Sequence, residues 1–292
     1  MDAGADDLLL TVPNVSEGRD AAVIARIGDA FASTGARLLD VHSDADHHRS
    51  VYTLAGDTDT LVTGLVAGAH ACTDLVDLTD ARGRHPHVGA LDVAPLVYLE
   101  AARRGAACAA ALVAGEELGR AGLPVFLYGE LAGGRSRAEL RRGGLATLTR
   151  RIAAGELGPD FGPSQPDPRH GATLVGARAP LVAFNLELAP PATLDDARAI
   201  AARIREGGAD GLPGVRAIGV ELTTRGKPVA QVSTNVEDHR ATTLAQLVAT
   251  VARHAAVTGC ELVGLAPEAA FDGFPDDVPV ANRRTLEDCL SS

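Results

Sequence analysis

Leu8–Asn14, LLLTVPN, and Pro180–Asn185, PLVAFN, are two short apolar runs that each stop at an asparagine before a helix-spaced stretch. Whether they open the same unit twice decides the fold. Outward from the first, Asp7–Val12 reads as a strand, and Arg19–Ser33 carries apolar residues at helical spacing. Ala36–Val41 and Ser50–Leu54 are strand-like, Thr58–Leu78 is a long helical pattern, and Ala90–Leu99 is again a strand. Outward from the second, Leu181–Leu188 is a strand, Leu194–Glu206 a helix, and Val215–Leu222 and Val229–Thr234 two strands. Thr242–Ala256 is then a helix and Glu261–Leu265 a last short strand. Both halves spell βαββαβ. The pattern predicts an α/β (α+β) chain of two ferredoxin-like βαββαβ subdomains, each a small sheet with helices on one face.

Between the repeats, Glu100–Ala172 adds a helix (Ala101–Gly122), a strand (Pro124–Tyr128) and a polar helix (Arg137–Ala154). It closes with Gly158–Gly171, GPDFGPSQPDPRHG, dense in proline and glycine. A connection of that length without regular pattern is either disordered or functional.

Composition narrows the classes. The chain has 292 residues, 46% apolar and 22% charged, enough for one large or two small cores. Its 38 acidic and 27 basic side chains give a net charge of −11, without a dense basic stripe, which argues against nucleic acid as a partner. The acidic start, MDAGADDLLL, lacks the basic region of a secretory signal, and the apolar run Ala106–Gly115 is too short to span a bilayer. A cytoplasmic protein, off the membrane, is expected. Cys72, Cys108, Cys260 and Cys289 are scattered, with no paired spacing for zinc or a disulfide framework.

Five stretches could carry chemistry. Asp40–Arg49, DVHSDADHHR, holds three of the nine histidines, but adjacent His47 and His48 project in different directions, and no metal site is expected. In Arg82–Val93, RGRHPHVGALDV, Pro86 stiffens the backbone between His85 and His87. Either imidazole could serve as a general base near neutral pH, or both could be plain surface residues. Val12–Gly18, VPNVSEG, places Asn14 and Ser16 at a strand-to-helix turn, where they either cap the helix or meet a ligand. Phe126–Glu130, FLYGE, ends a strand with Tyr128 and Glu130, and GATLVGAR ends on Arg178, a candidate for carboxylate recognition.

Taken in order, VPNVSEG, LLDV with RSVYTLAG, RHPHVGALDV, PVFLYGE, PDFGPS with GATLVGARAPLVAFNLEL, and AQVSTN resemble the formiminotransferase family from about Leu8 to Phe271. The resemblance implies a formiminotransferase-type fold of two subdomains, 1–178 and 179–292, with folate held between them, in a homodimer. It implies transfer of a formimino group from N-formimino-L-glutamate to tetrahydrofolate, a co-substrate, in histidine degradation, with no metal. Carried over by motif, the catalytic histidine falls on His85, and the folate-binding segment matches Gly162–Gly171, naming Gly162, Pro163, Ser164, Gln165, His170 and Gly171. Asn14, Arg49, Tyr128, Glu130, Arg178 and Asn185 are expected to bind substrate.

Three departures accompany the match. His42 stands where family members carry an aspartate that could orient the imidazole, so Asp40, Asp44 or Asp46 is expected to supply that charge. An aromatic before Gly-Ala-Thr is His170, and a Gly-Glu-Tyr reads Gly143-Gly144-Leu145. These leave room for a different formimino or formyl donor in specialised metabolism, or for a catalytically silent folate-binding protein. The resemblance does not extend to a cyclodeaminase portion, so a separate cyclodeaminase is expected downstream.

Overall fold

The computed structural model describes residues 8–80, 87–223 and 228–291. Two compact units divide between Ala179 and Pro180.

In the first unit the opening strand is interrupted. β1 (Leu9–Thr11) and β2 (Asn14–Val15) flank Pro13, which has no N–H to give the ladder, although its carbonyl accepts the Tyr52 amide at 3.0 Å. α1 (Ala21–Ala32) starts where the Asp20 carboxylate accepts the amides of Ala22 and Val23. Next come β3 (Arg37–Asp44), β4 (Arg49–Gly56), α2 (Thr58–Leu75), capped by Asp57, and β5 (Leu91–Val97). α3 (Arg104–Arg120), β6 (Val125–Leu127), α4 (Arg137–Arg141), α5 (Gly144–Ala153) and β7 (Thr173–Arg178) follow. The sheet runs β3, β4, β1/β2, β5, β7, β6. β5, β7 and β6 are mutually parallel, and the other pairings are antiparallel.

α1, α2 and α3 cover one face, burying Leu9, Ile27, Phe31, Tyr52, Leu65, Leu96 and Leu118. Each such side chain contributes roughly 1.5–3 kcal/mol by leaving water. The other face is not bare. Alternation along β6 and β7 sends Phe126 and Leu174 to the side opposite Val125 and Val175, where Leu140 of α4 and Leu148 and Ile152 of α5 pack on them. This corrects the expectation of helices on one face. The polar helix read across Arg137–Ala154 is also corrected. Gly143 and Gly144 both take positive φ, 75° and 68°, which ends α4 and starts α5 afresh.

The second unit contains β8 (Val182–Leu188), α6 (Leu194–Ile204), β9 (Val215–Leu222), β10 (Val229–Val236), α7 (Leu244–Ala252) and β11 (Val257–Val263). β12 (Val280–Ala281) and α8 (Leu286–Ser291) complete it, two elements the sequence reading did not foresee. Its sheet runs β12, β11, β8, β10, β9, with Phe184, Leu186, Val232, Leu247 and Leu262 in the core. In both units the first strand of the βαββαβ unit lies between the third and fourth, and the second forms an edge. Among the described residues no helix is long and apolar enough to cross a membrane.

Candidate active site

Three segments of the first unit are stitched together at the start of β5. In the turn after β2, the Ser16 hydroxyl donates to the Gly89 carbonyl at 2.7 Å, and its amide donates to Ala90 at 2.9 Å. Gly89 in turn bridges Gly171, the Ala90 amide donates to the His170 carbonyl, and the Ala172 amide to Val88. The approach is so close that a Cβ on Gly89 would sit 2.0 Å from the Ala172 carbonyl oxygen. Gly18 is confined the same way, since a Cβ there would lie 2.2 Å from the Asp44 oxygen and 2.4 Å from the Arg49 nitrogen. The glycines of VPNVSEG and HVGAL therefore let three backbones meet.

Register then sorts the side chains. Opposite pairs on β3 and β4 are Asp40 with Thr53, His42 with Val51, and Asp44 with Arg49, while Asn14 faces Val51 from β2. Side chains on a strand alternate in direction, so Asp40, His42, Asp44, Asn14 and Arg49 share the face turned away from α1 and α2. His42, one residue past the strand expected at Ala36–Val41, lies within β3, and only residues 45–48 form the turn.

Arg49 is the hinge of this face. Its Nε donates to Asn14 Oδ1 at 2.9 Å, and its Nη2 to Asp92 Oδ2 at 2.5 Å. Asp92 has a fully buried side chain, takes a second guanidinium from Arg141 of α4, and through Oδ1 accepts the Val88 amide at 2.8 Å. Burial and the neighbouring Arg141 push the Arg49 pKa down to about 10 against the pull of Asp92, which leaves it charged at neutral pH. In the turn, burial alone would raise the Asp44 carboxyl, but hydrogen bonds from the His47 side chain and amide outweigh it and hold the pKa at about 2. His48 Nδ1 accepts the Gly18 amide at 3.2 Å and lies 3.5 Å from Glu17. Burial lowers its pKa; Glu17 opposes that, and Arg19 and His87 add to it.

His85, the expected catalytic residue, lies outside the described residues. Gly162, Pro163, Ser164 and Gln165 are exposed, with Gly162 at φ 81° against the Leu123 carbonyl. The loop is tied at both ends, by the Val125–Phe161 bridge and by the Leu78 amide to Arg169, so it is not structureless. Glu130 is ion-paired with Arg104 at 2.7 Å, and Arg178 ends β7 beside Val97. At roughly 3.3 Å per residue, the length of β7 sets Arg178 about 16 Å from Gly171's end of the sheet. Asn185, in the second unit, donates to Glu261 at 3.3 Å. Asp92 and Arg141 were missed. A lone carboxylate in the apolar run Ala90–Val97 was the available signal, because such a group persists in a core only when paired. No group of three or more His, Cys, Asp or Glu side chains suited to a metal ion occurs among the described residues.

Residues 8–178 match "Formiminotransferase domain, N-terminal subdomain", and residues 183–273 match "Formiminotransferase domain". The chain belongs to the formiminotransferase family. A glutamate formimidoyltransferase of Streptococcus pyogenes serotype M1 is 35% identical over 270 residues, covering 89% of each protein. One of Thermoplasma acidophilum is 34% identical over 276 residues, 90% of this chain and 89% of that protein. The formimidoyltransferase-cyclodeaminase of Sus scrofa is 39% identical over 275 residues, 89% of this chain but 50% of its own length. The formiminotransferase chain thus spans about half the length of the bifunctional relatives it matches.

Proposed function

We propose that this formiminotransferase moves a formimino group from N-formimino-L-glutamate to tetrahydrofolate. The observation that carries the reading is the stitching of the Asn14–Gly18 turn, the histidine-bearing segment before β5 and the end of the 158–171 loop around Arg49 and Asp92. Family membership supplies the chemistry. Folate N5 attacks the formimino carbon and loses its proton, the carbon–nitrogen bond to glutamate breaks, and the departing amine gains a proton. His85 is assigned both transfers in turn, as base and then acid. Asp40, two residues before His42 on the same face of β3, supplies the fixed negative charge that His42 lacks. Gly162–Gln165, His170 and Gly171 are assigned to folate, and Asn14, Arg49, Tyr128, Glu130, Arg178 and Asn185 to substrate contacts.

The same reading assigns the chain to the cytoplasm as a homodimer of subunits divided at 178 and 179. Light scattering that returns a monomer would remove the dimer. The decisive experiment is turnover of tetrahydrofolate with N-formimino-L-glutamate by the wild type and His85→Ala. Loss of about two orders of magnitude in the variant supports the assignment, and an active His85→Ala overturns it. His42, in a place where the family pattern has an aspartate, favours a second reading in which another formimino or formyl donor is used. Side-by-side turnover of formiminoglutamate and formylglutamate separates the two.

A further inference from the structure

Two guanidinium groups bind one carboxylate in the first unit, and a third stands near them. Arg49 and Arg141 both bind Asp92 Oδ2, and Arg137 is close enough that its charge, like that of Arg141, depresses the Arg49 pKa. Arg137 and Arg141 stand four residues apart on the five-residue α4, where like charges on one face repel. Among the described residues, the nearby carboxylates on the same elements are engaged elsewhere. Asp44, across the hairpin from Arg49, is engaged by His47, and Glu139 of α4 turns back to the Ser136 amide and hydroxyl in the capping box. Arg135 goes to Asp160 and the Leu127 carbonyl. Arg137 has no carboxylate within ion-pair distance among the described residues; its guanidinium lies 5.6 Å from the Tyr128 ring centroid.

Among the described residues, two buried polar atoms beside this cluster have no hydrogen-bond partner, the Tyr128 hydroxyl and the Arg141 Nε. Tyr128 is only 5% exposed, so its hydroxyl is nearly removed from water. An unmatched donor in such a place costs about 1–3 kcal/mol, and a half-buried surplus of positive charge costs more. A planar anion offsets both, because a carboxylate takes guanidinium N–H groups in pairs and accepts from a phenol as well.

We propose that Arg137, Arg141 and Tyr128, with Arg49 behind them, form a cradle for a carboxylate of the substrates. The assignment rests on the transferase reading only for the identity of the ligand, since both the formimino donor and folate carry a glutamyl group. Arg137 and Arg141 would be specificity-determining residues, absent from the set that motif resemblance supplies.

The test uses the full chain and calorimetric binding of glutarate, N-formimino-L-glutamate, tetrahydrofolate and tetrahydropteroate, which lacks the glutamate. Arg137→Met removes a cation without touching Asp92, and Arg141→Lys keeps the charge but removes the planar fork. Circular dichroism and melting confirm that both fold. The expected result is a loss of about tenfold or more in affinity for a glutamyl ligand in both variants. A loss confined to the donor makes the donor's carboxylate the occupant. A loss for tetrahydrofolate but not tetrahydropteroate makes it the folate tail. The proposal is overturned if the wild type binds none of these ligands, or if both variants bind all of them as the wild type does. A wild type that binds glutarate through these arginines yet transfers nothing sinks the transferase reading and leaves the cradle standing.

Discussion

The Gly18 amide, between β2 and α1, donates to Nδ1 of His48 in the turn between β3 and β4, so this imidazole nitrogen must be unprotonated for the contact to exist. His48 itself sits at φ 50°, a conformation that asparagine also tolerates.

A pH effect follows from that contact. Burial lowers the folded-state pKa of His48 below its ordinary value, so the unfolded chain binds more protons between the two values. The stabilisation is fully present above about pH 6.5 and is lost as the pH falls through the folded value. Urea midpoints measured from pH 7.5 to 5 should fall for the wild type and fall less for His48→Asn. Parallel pH profiles would show that His48 is not the group responsible.

Asp92→Asn keeps an acceptor for the Val88 amide but leaves Arg49 and Arg141 without their shared buried counter-charge. Unfolding free energy should drop by about 3–5 kcal/mol, as when one partner of a buried ion pair is removed. A loss below about 1 kcal/mol in urea titrations would mean that the arginines find other partners.

Two glycine substitutions should act in opposite directions. Gly18→Ala drives a Cβ into backbone atoms of Asp44 and Arg49 and should cost about 1–3 kcal/mol. Gly105→Ala, in α3 with nothing within 4 Å, should stabilise by roughly 0.4–1 kcal/mol. Melting temperatures of both variants check the contrast, and equal shifts would contradict it.

Thiol labelling should divide the four cysteines. Burial pushes the Cys72 thiol upward and Cys260 to about 12, whereas Cys108 and Cys289 are half-buried. Under native conditions at pH 8, Cys289 should react first and Cys108 more slowly, because burial and then Glu130 raise its pKa. Cys72 and Cys260 should wait for denaturant; native labelling of Cys72 at the rate of Cys289 would contradict the packing.

Local pattern made most strands and helices legible, because LLLTV, SVYTL and LVAFNLEL carry their own periodicity. Pairing was harder to read. Nothing local in TLVGAR places β7 between β5 and β6, since that position depends on partners about 50 to 80 residues away. The Gly143-Gly144 break stood in the sequence as two successive glycines inside a helical pattern, and a smooth period hid it. At the site, the motifs singled out Asn14, Arg49 and His42, whereas the arginine cluster around Asp92 needs tertiary packing to appear. Arg137 and Arg141 look on paper like ordinary charges of a solvated helix.

The insertion of β7 between β5 and β6 also bears on how the chain is made. The strand that joins β6 to the rest of its sheet is the last of that sheet to leave the ribosome. Until Thr173–Arg178 emerges, β6 has no strand partner and β5 keeps an open edge, a template for wrong pairing. The nascent first half therefore cannot close until nearly 180 residues have been synthesised, whereas the β8–β11 circuit needs only Val182–Val263.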